Sequence, residues 1–249
     1  MDGTLTPARK KIEKDVINAL KALSAYGNIC VVTGSDVEYI FDQLSDLIEC
    51  PEFDNSNLEL LPCNGTKRYL YQQGRFQLVH SSDMADCIST KKLNSIMRYC
   101  ISWQKKVMLE NLELPYTGTF IQYRGSLLNW CPIGRAAGDK ERNLWVQIDE
   151  QKKIREKYVD LLTRKFGDSD ITIALGGSTS LDIYPTGWDK TYALKHYGDE
   201  CIYFVGDSCE KNGNDFQIYE ALKKTGRAYA TKCPDDTIDI ISNMIAEIA

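Results

Sequence analysis

The chain has 249 residues, 43% of them apolar and 26% charged, an ordinary globular composition with enough apolar material for one large domain or two smaller ones. A net charge of −5 excludes a binder of nucleic acid or other polyanions held by bulk electrostatics, so any phosphate must be met by locally placed Arg and Lys. The 9 cysteines are scattered and never spaced Cys-x-x-Cys, which reads as reduced thiols in a cytosolic protein, and no apolar run reaches membrane-spanning length.

Met1-Asp2-Gly3-Thr4-Leu5-Thr6-Pro7 opens the chain. Asp-Gly-Thr ahead of a helical pattern reads as the second half of the phosphoryl-transfer loop Asp-x-Asp-Gly-Thr, in which one carboxylate attacks phosphorus and the carboxylate two positions later moves the proton. Asp2 is that second carboxylate, and Gly3 lets the backbone turn so that amides face a phosphate. On this reading the attacking aspartate stands one residue before Met1. The stretch as given is then expected to be inactive and poorly soluble, and an extension of about ten residues ending in Asp to restore both.

Ile12, Val16, Ile17, Leu20 and Leu23 share one helical face that ends at Tyr26-Gly27, and Ile29-Cys30-Val31-Val32 is a short buried strand. It delivers Thr33-Gly34-Ser35-Asp36 at its carboxyl end, where parallel sheets bind ligands, so Thr33 or Ser35 is placed to bond a phosphate oxygen. Ser35-Asp36-Val37-Glu38 also reads as a capping box for a helix that buries Val37, Ile40, Phe41, Leu44 and Ile48, and Ser35 serves either role. Residues 52–80 read as strands and turns, with Asn64-Gly65 and Gln73-Gly74 as hairpin candidates. From Ser81 onward come a helix through Leu93, Ile96, Met97, Cys100 and Ile101, then antiparallel strands near 119–124 and 127–132. A helix through Ile154, Tyr158, Leu161, Leu162 and Phe166 follows, then strands at 171–175 and 181–184. Hairpin-paired strands with two helices on one face describe an α+β insertion. Lys190 starts a helix through Leu194, Cys201–Val205 is a strand ending in Gly206-Asp207, and Asn214-Asp215 opens a helix. A strand near 227–230 and a C-terminal helix close the chain. The expected domains are 1–82 and 186–249 as a core and 83–185 as a cap. The 2 histidines, His80 and His196, are expected to be structural or surface residues.

Asp-Gly-Thr, a strand ending in Thr33/Ser35, Lys190 at a helix start, and Asp207 with Asp215 after an apolar strand stand in an order that resembles the haloacid dehalogenase superfamily. That resemblance implies an α/β fold, a doubly wound Rossmann-like core with an inserted cap, and an acidic group holding Mg²⁺. Asp-Gly-Thr-Leu-Thr-Pro-Ala-Arg, Thr-Phe-Ile-Gln-Tyr-Arg, Leu-Asn-Trp-Cys-Pro-Ile-Gly-Arg, Ser-Leu-Asp-Ile-Tyr-Pro-x-Gly-Trp-Asp-Lys and Gly-Asp-x6-Asn-Asp resemble the eukaryotic-type α-phosphomannomutases over nearly the whole chain. The resemblance implies Asp2 and Lys190 as catalytic residues and Asp2, Asp207 and Asp215 around the metal. It also implies Arg9, Thr33, Ser35, Arg124, Asn129, Arg135, Arg142, Ser180 and Asp182 as the substrate-binding set.

The chemistry fits that set, because a mutase moving phosphate between two carbons must hold a sugar with two phosphates. Arginine forks suit the distal one, and oxygen ligands suit a hard octahedral cation. Implied further are a hexose 1,6-bisphosphate activator, a hexose phosphate substrate, a homodimer formed through the cap, and a role in supplying GDP-mannose. The sequence departs from the family pattern at Thr33, at Phe216 after Asn214-Asp215, and at Cys209-Glu210-Lys211-Asn212. A sugar phosphatase of the same superfamily and a non-catalytic sugar-phosphate binder stay open as alternatives.

Overall fold

A computed structural model describes residues 1–248 apart from 168, 169 and 212, so Asn212 of the departing loop lies outside the described residues. The chain divides into two compact units, Met1–Ser81 with Asp189–Ala249, and Ser82–Trp188.

The first unit begins with α1 (Lys14–Leu23), β1 (Ile29–Val32), α2 (Val37–Gln43) and α3 (Ser45–Ile48). There follow β2 (Leu58–Leu61), β3 (Lys67–Gln72) and β4 (Arg75–Ser81). Strands β1 and β2 pair in parallel, while β2–β3 and β3–β4 pair antiparallel, in the order β1-β2-β3-β4. The β3–β4 turn is Gln73-Gly74, both with positive φ (54° and 77°), the twist that two-residue hairpins favour. Val16, Ile17 and Leu20 of α1, Val31 of β1, Ile40 and Leu44 from the α2 region, and Leu58 and Leu60 of β2 form one buried cluster.

The expected single helix from 37 to 48 breaks at Leu44, whose φ/ψ of −99°/12° lies outside the helical well. Its cap is Asp36, whose carboxylate accepts from the Val37 amide, so Ser35 is released from the capping role. Phe41, expected in the core, is exposed and lies against Phe76 instead. It shares the polar face of α2 with Glu38 and Asp42.

The second unit holds α4 (Thr90–Glu110), β5 (Ile121–Tyr123), β6 (Leu128–Trp130), α5 (Asp139–Lys152), α6 (Ile154–Phe166), β7 (Ile171–Gly176) and β8 (Ser180–Pro185). Its antiparallel sheet runs β5-β6-β8-β7. Strand alternation sorts the faces: Leu128, Trp130, Leu181 and Ile183 pack with Ile96, Cys100, Trp145, Tyr158 and Leu162, while Asn129 and Asp182 between them point the other way. Helix α5 escapes periodicity because only Trp145 and Asp149 of its residues are buried. It lies on the unit as a polar helix, and the sequence reading of two helices becomes three.

The chain returns to the first unit through a tight 3-10 turn, Lys190–His196, then β9 (Phe204–Gly206), α7 (Phe216–Lys223), β10 (Ala228–Ala230) and α8 (Pro234–Ile248). Strands β9 and β10 pair in parallel as a separate ladder. The strand expected from Cys201 is thus reduced to three residues. Residues of β1 and of 201–205 line a cavity of about 650 Å³ with Leu20, Leu23, Ile241 and Met244. All 9 thiols are free, and no helix among the described residues is long and apolar enough to cross a membrane.

His80 of β4 and His196 stand edge to face, 4.9 Å between ring centroids. His196 Nε2 donates to the Gly65 carbonyl at 2.7 Å, and His80 Nε2 pairs with the Tyr192 hydroxyl at 3.2 Å. Burial, then His196 and Arg68, holds the His80 pKa below 6.5. A depressed pKa means that the unfolded chain takes up a proton first as pH falls. This contribution is therefore complete above about 6.5 and lost as pH drops through that value toward the folded pKa. We expect the drop in melting temperature from pH 7.5 to 5.5 to be smaller in His80→Gln than in the parent; equal drops by calorimetry would contradict this.

Candidate active site

The first unit gathers acidic and basic groups at the carboxyl ends of β1 and β9. Residues 1–6 curl into a tight loop, with the amides of Thr4, Leu5 and Thr6 all within 3.2 Å of the Met1 carbonyl and the Gly3 amide 2.8 Å from the Thr6 carbonyl. A Cβ on Gly3 (φ 75°) would fall 2.6 Å from Asp207 Oδ2, so glycine is what lets the Asp207 carboxylate press against this backbone. Thr4 Oγ1 donates to Asp207 Oδ1 at 2.9 Å. The Asp2 carboxylate is held from two sides, by the Arg9 amide at 2.9 Å and by the Tyr39 hydroxyl at 3.0 and 2.9 Å to its two oxygens. Arg9 takes a left-handed φ of 60° at that bond, and its side chain is exposed.

Lys190 is buried against Asp215, and Nζ bonds Oδ1 directly. The amide of Ser208 donates to Asp215 Oδ2 at 3.2 Å, and Gly206 gives that carboxylate room, since a Cβ there would meet Oδ2 at 2.8 Å. Burial pushes the Asp215 carboxyl up, but the Lys190 charge and hydrogen bond outweigh it and hold the pKa below the usual carboxylate value. Asp215 sits at the cap position of α7 without capping it, because its side chain serves Lys190. Both residues line the cavity beside β1.

The Thr33–Ser35 loop is fixed by the segment after β2: the amides of Asn64 and Cys63 donate to the carbonyls of Thr33 and Ser35 at 2.7 and 2.9 Å. Thr33 Oγ1 accepts from the Ser35 amide at 3.2 Å. Three consecutive residues there, Cys63, Asn64 and Gly65, have positive φ of 51°, 62° and 86°. A Cβ on Gly65 would strike Ala193 at 2.7 Å. This knot links the Ser35 loop to the Lys190–His196 turn, and only its Asn-Gly signal was visible in the sequence. Tyr39 carried no sequence signal for its contact with Asp2.

Among the described residues no group of three or more His, Cys, Asp or Glu side chains stands ready around a metal ion. The oxygens at hand are Asp207, which Gly3 seats against the loop, and the loop's own carbonyls. A set of few, all-oxygen ligands suits Mg²⁺, which keeps several waters and borrows oxygens from bound phosphate.

In the second unit the polar sheet face carries the other predicted set. Gln122, Asn129 and Asp182 are successive cross-strand neighbours, and Asn129 Nδ2 donates to Asp182 Oδ1 at 2.6 Å. Arg135 Nη1 donates to Asn129 Oδ1 at 3.2 Å, and Arg124, buried, has Nε 3.2 Å from Gln122 Oε1. Arg142 bonds the Ala137 carbonyl at 2.9 Å and the Thr179 hydroxyl at 3.0 Å. Ser180 Oγ donates to the Gly176 carbonyl at 2.6 Å. Burial, then the neighbouring charges of Arg124 and Arg142, lowers the Arg135 pKa, so the guanidiniums crowd one another. Burial raises the Asp182 pKa, against the pull of Arg124, Asn129 and Arg135. A cluster of like charges with one buried carboxyl is arranged to receive an anion.

The fold is shared with solved structures of low sequence identity. The chain superposes on N-terminally truncated, IMP-bound IMP-nucleotidase of Plasmodium falciparum with a TM-score of 0.62 at 14% identity, covering 98% of this chain and 66% of that one. On trehalose-6-phosphate phosphatase of Aspergillus fumigatus the score is 0.50 at 18% identity, covering 99% and 90%. The chain thus shares the fold of these phosphate-ester-handling proteins. Within that fold, residues 16–247 match the family described as eukaryotic phosphomannomutase. Among curated relatives, "Phosphomannomutase" of Schizosaccharomyces pombe is 36% identical over 246 residues, covering 96% of this chain and 89% of the relative. "Phosphomannomutase 1" of Homo sapiens is 35% identical over 242 residues, covering 96% and 87%. The chain belongs to the eukaryotic phosphomannomutase family.

Proposed function

We propose that the chain interconverts mannose 6-phosphate and mannose 1-phosphate by way of an aspartyl phosphate and a hexose 1,6-bisphosphate, an isomerase reaction whose product feeds GDP-mannose synthesis in the cytosol. The observation that carries the reading beyond family membership is the presence of two phosphate-directed sets. The acidic and lysine set of the first unit suits phosphoryl transfer, and the arginine cluster of the second suits a phosphate that does not react. A phosphatase needs only the former.

Asp2 moves the proton: its carboxylate, oriented by Tyr39 and the Arg9 amide, protonates the departing sugar oxygen and later deprotonates the incoming hydroxyl. Lys190, held by Asp215, and the hydroxyls of Thr33 and Ser35 neutralise and orient the transferring phosphoryl, since positioning and charge carry most of such catalysis. Mg²⁺, held by Asp207 and the Asp2 carbonyl with Asp215 adding its charge, would supply electrostatic stabilisation of the phosphate oxygens. Arg9 contacts the sugar phosphate, and Arg124, Arg135 and Arg142 with Asn129, Ser180 and Asp182 hold the distal phosphate and sugar hydroxyls. Assembly as a homodimer through the cap follows the family resemblance and is checked by sedimentation.

The test is turnover of mannose 1-phosphate in a chain that carries the attacking aspartate of the Asp-x-Asp-Gly-Thr loop. Isomerisation that depends on catalytic hexose 1,6-bisphosphate is expected; release of inorganic phosphate as the main product would make the protein a phosphatase. We further expect Asp207→Asn to weaken Mg²⁺ binding by about 10-fold or more, because the amide keeps an oxygen but removes the charge that holds a hard cation. Unchanged affinity by calorimetric titration would remove Asp207 from the metal site.

A further inference from the structure

We infer that Thr179 is a positioning residue for the phosphate-binding cluster, acting through Arg142. The turn between β7 and β8 is tied at two points, to the α5–α6 corner and to the first turn of α5. Arg155 Nη1 donates to the Gly177 carbonyl at 2.7 Å while its Nε bonds Asp149 Oδ2 at 2.7 Å, and Asp149 Oδ1 also accepts the Arg155 amide at 2.8 Å. The second tie is the Arg142–Thr179 bond of 3.0 Å. Thr179 is 4% exposed, too buried for water to replace a lost partner. Its oxygen also accepts a long contact of 3.6 Å from the Cys131 thiol.

The geometry around Arg142 explains the consequence. A guanidinium recognises phosphate through a planar fork, so its affinity depends on the plane being fixed beforehand. The Ala137 carbonyl at 2.9 Å on Nε pins one side of that plane, and the Arg135 carbonyl, 3.5 Å from Nη2, is at the limit of bonding distance. The Thr179 hydroxyl on Nη1, 3.0 Å away, is a full-strength second contact that holds the plane against rotation about the Ala137 bond. The Arg155 clamp keeps the turn itself in place when that hydroxyl is removed. Family resemblance pointed to Arg142, Ser180 and Asp182, and Thr179 between them escaped it.

The inference rests on the reading of the arginine cluster as a phosphate site. Its test is titration of the whole chain with inorganic phosphate, followed by the Nε–Hε resonance of Arg142 and by calorimetry, in the parent and in Thr179→Val, Thr179→Ser, Arg135→Ala and Arg142→Ala. Thr179→Val keeps the shape and loses the acceptor, and is expected to weaken phosphate binding about 5-fold, the usual consequence of one lost hydrogen bond. Thr179→Ser keeps the hydroxyl and loses a methyl, and is expected to bind as the parent does even if it melts lower. Affinity that follows melting temperature rather than the hydroxyl would reduce Thr179 to a packing residue and overturn the inference. If Arg135→Ala and Arg142→Ala weaken binding while Thr179→Val does not, this inference alone fails. If neither arginine variant weakens it, the phosphate reading of the cluster fails first.

Discussion

Replacing Lys190 by Met is expected to destabilise the protein by about 3–5 kcal/mol, the usual cost of leaving one partner of a buried ion pair without the other. Side-chain exposure of 6% for Lys190 and 2% for Asp215 leaves the carboxylate little access to water, and the Ser208 amide at 3.2 Å is a weak substitute for a charge. The double variant Lys190→Met/Asp215→Leu should recover much of that loss, because the uncompensated charge is gone, yet remain without turnover. Urea unfolding of the parent, both single variants and the double variant gives the coupling directly. If the double variant is as unstable as Lys190→Met, the penalty comes from packing rather than from the orphaned charge. If the double variant, built in a chain that carries the attacking aspartate, turns over mannose 1-phosphate, Lys190 has no part in the chemistry. Because Asp215 has a lowered pKa, its contribution is present above its unfolded value of 3.8 and should disappear as pH falls through the folded value.

Arg135→Ala is expected to act in opposite directions on binding and on stability. The guanidinium is half-buried beside Arg124 and Arg142, and its pKa is lowered by burial and by both neighbours, so removing it relieves repulsion among the guanidiniums. Melting temperature should therefore hold or rise. Hexose phosphate affinity should fall about 10- to 100-fold, since a hydrogen bond between charged groups contributes roughly 1.5–3 kcal/mol. Arg135→Lys should recover only part of it, because an ammonium cannot offer two parallel donors. Calorimetric titration with mannose 6-phosphate at two salt concentrations checks this, and a variant that binds normally would make the cluster a surface feature.

What could be read from sequence followed from short-range physics. Period 3.6 placed Val16, Ile17 and Leu20 on a buried face, and Gln73-Gly74 specified a hairpin. The family resemblance named the arginines and acids by their motifs. Where the reading slipped, the deciding contacts came from far along the chain. Helix α5 has too few buried residues to show a period, and it is held by packing at Trp145 and Asp149. The outward turn of Phe41 goes with its ring contact to Phe76, a partner on another element. Asp36 displaced Ser35 as a cap because the carboxylate reaches the Val37 amide.

The sequence by itself determined the periodic elements, the hairpins and the chemical types brought to each unit, because those depend on backbone geometry and on neighbours a few residues away. Tertiary structure alone decided which charges meet. Asp215 is given to Lys190, 25 residues away, Asp207 to the Thr4 hydroxyl, 203 residues away, and Asp2 to Tyr39, 37 residues away. Such pairings are set by how the strand ends converge and by where glycines at 3, 65 and 206 leave room for a close approach. No local pattern encodes a distance across the fold.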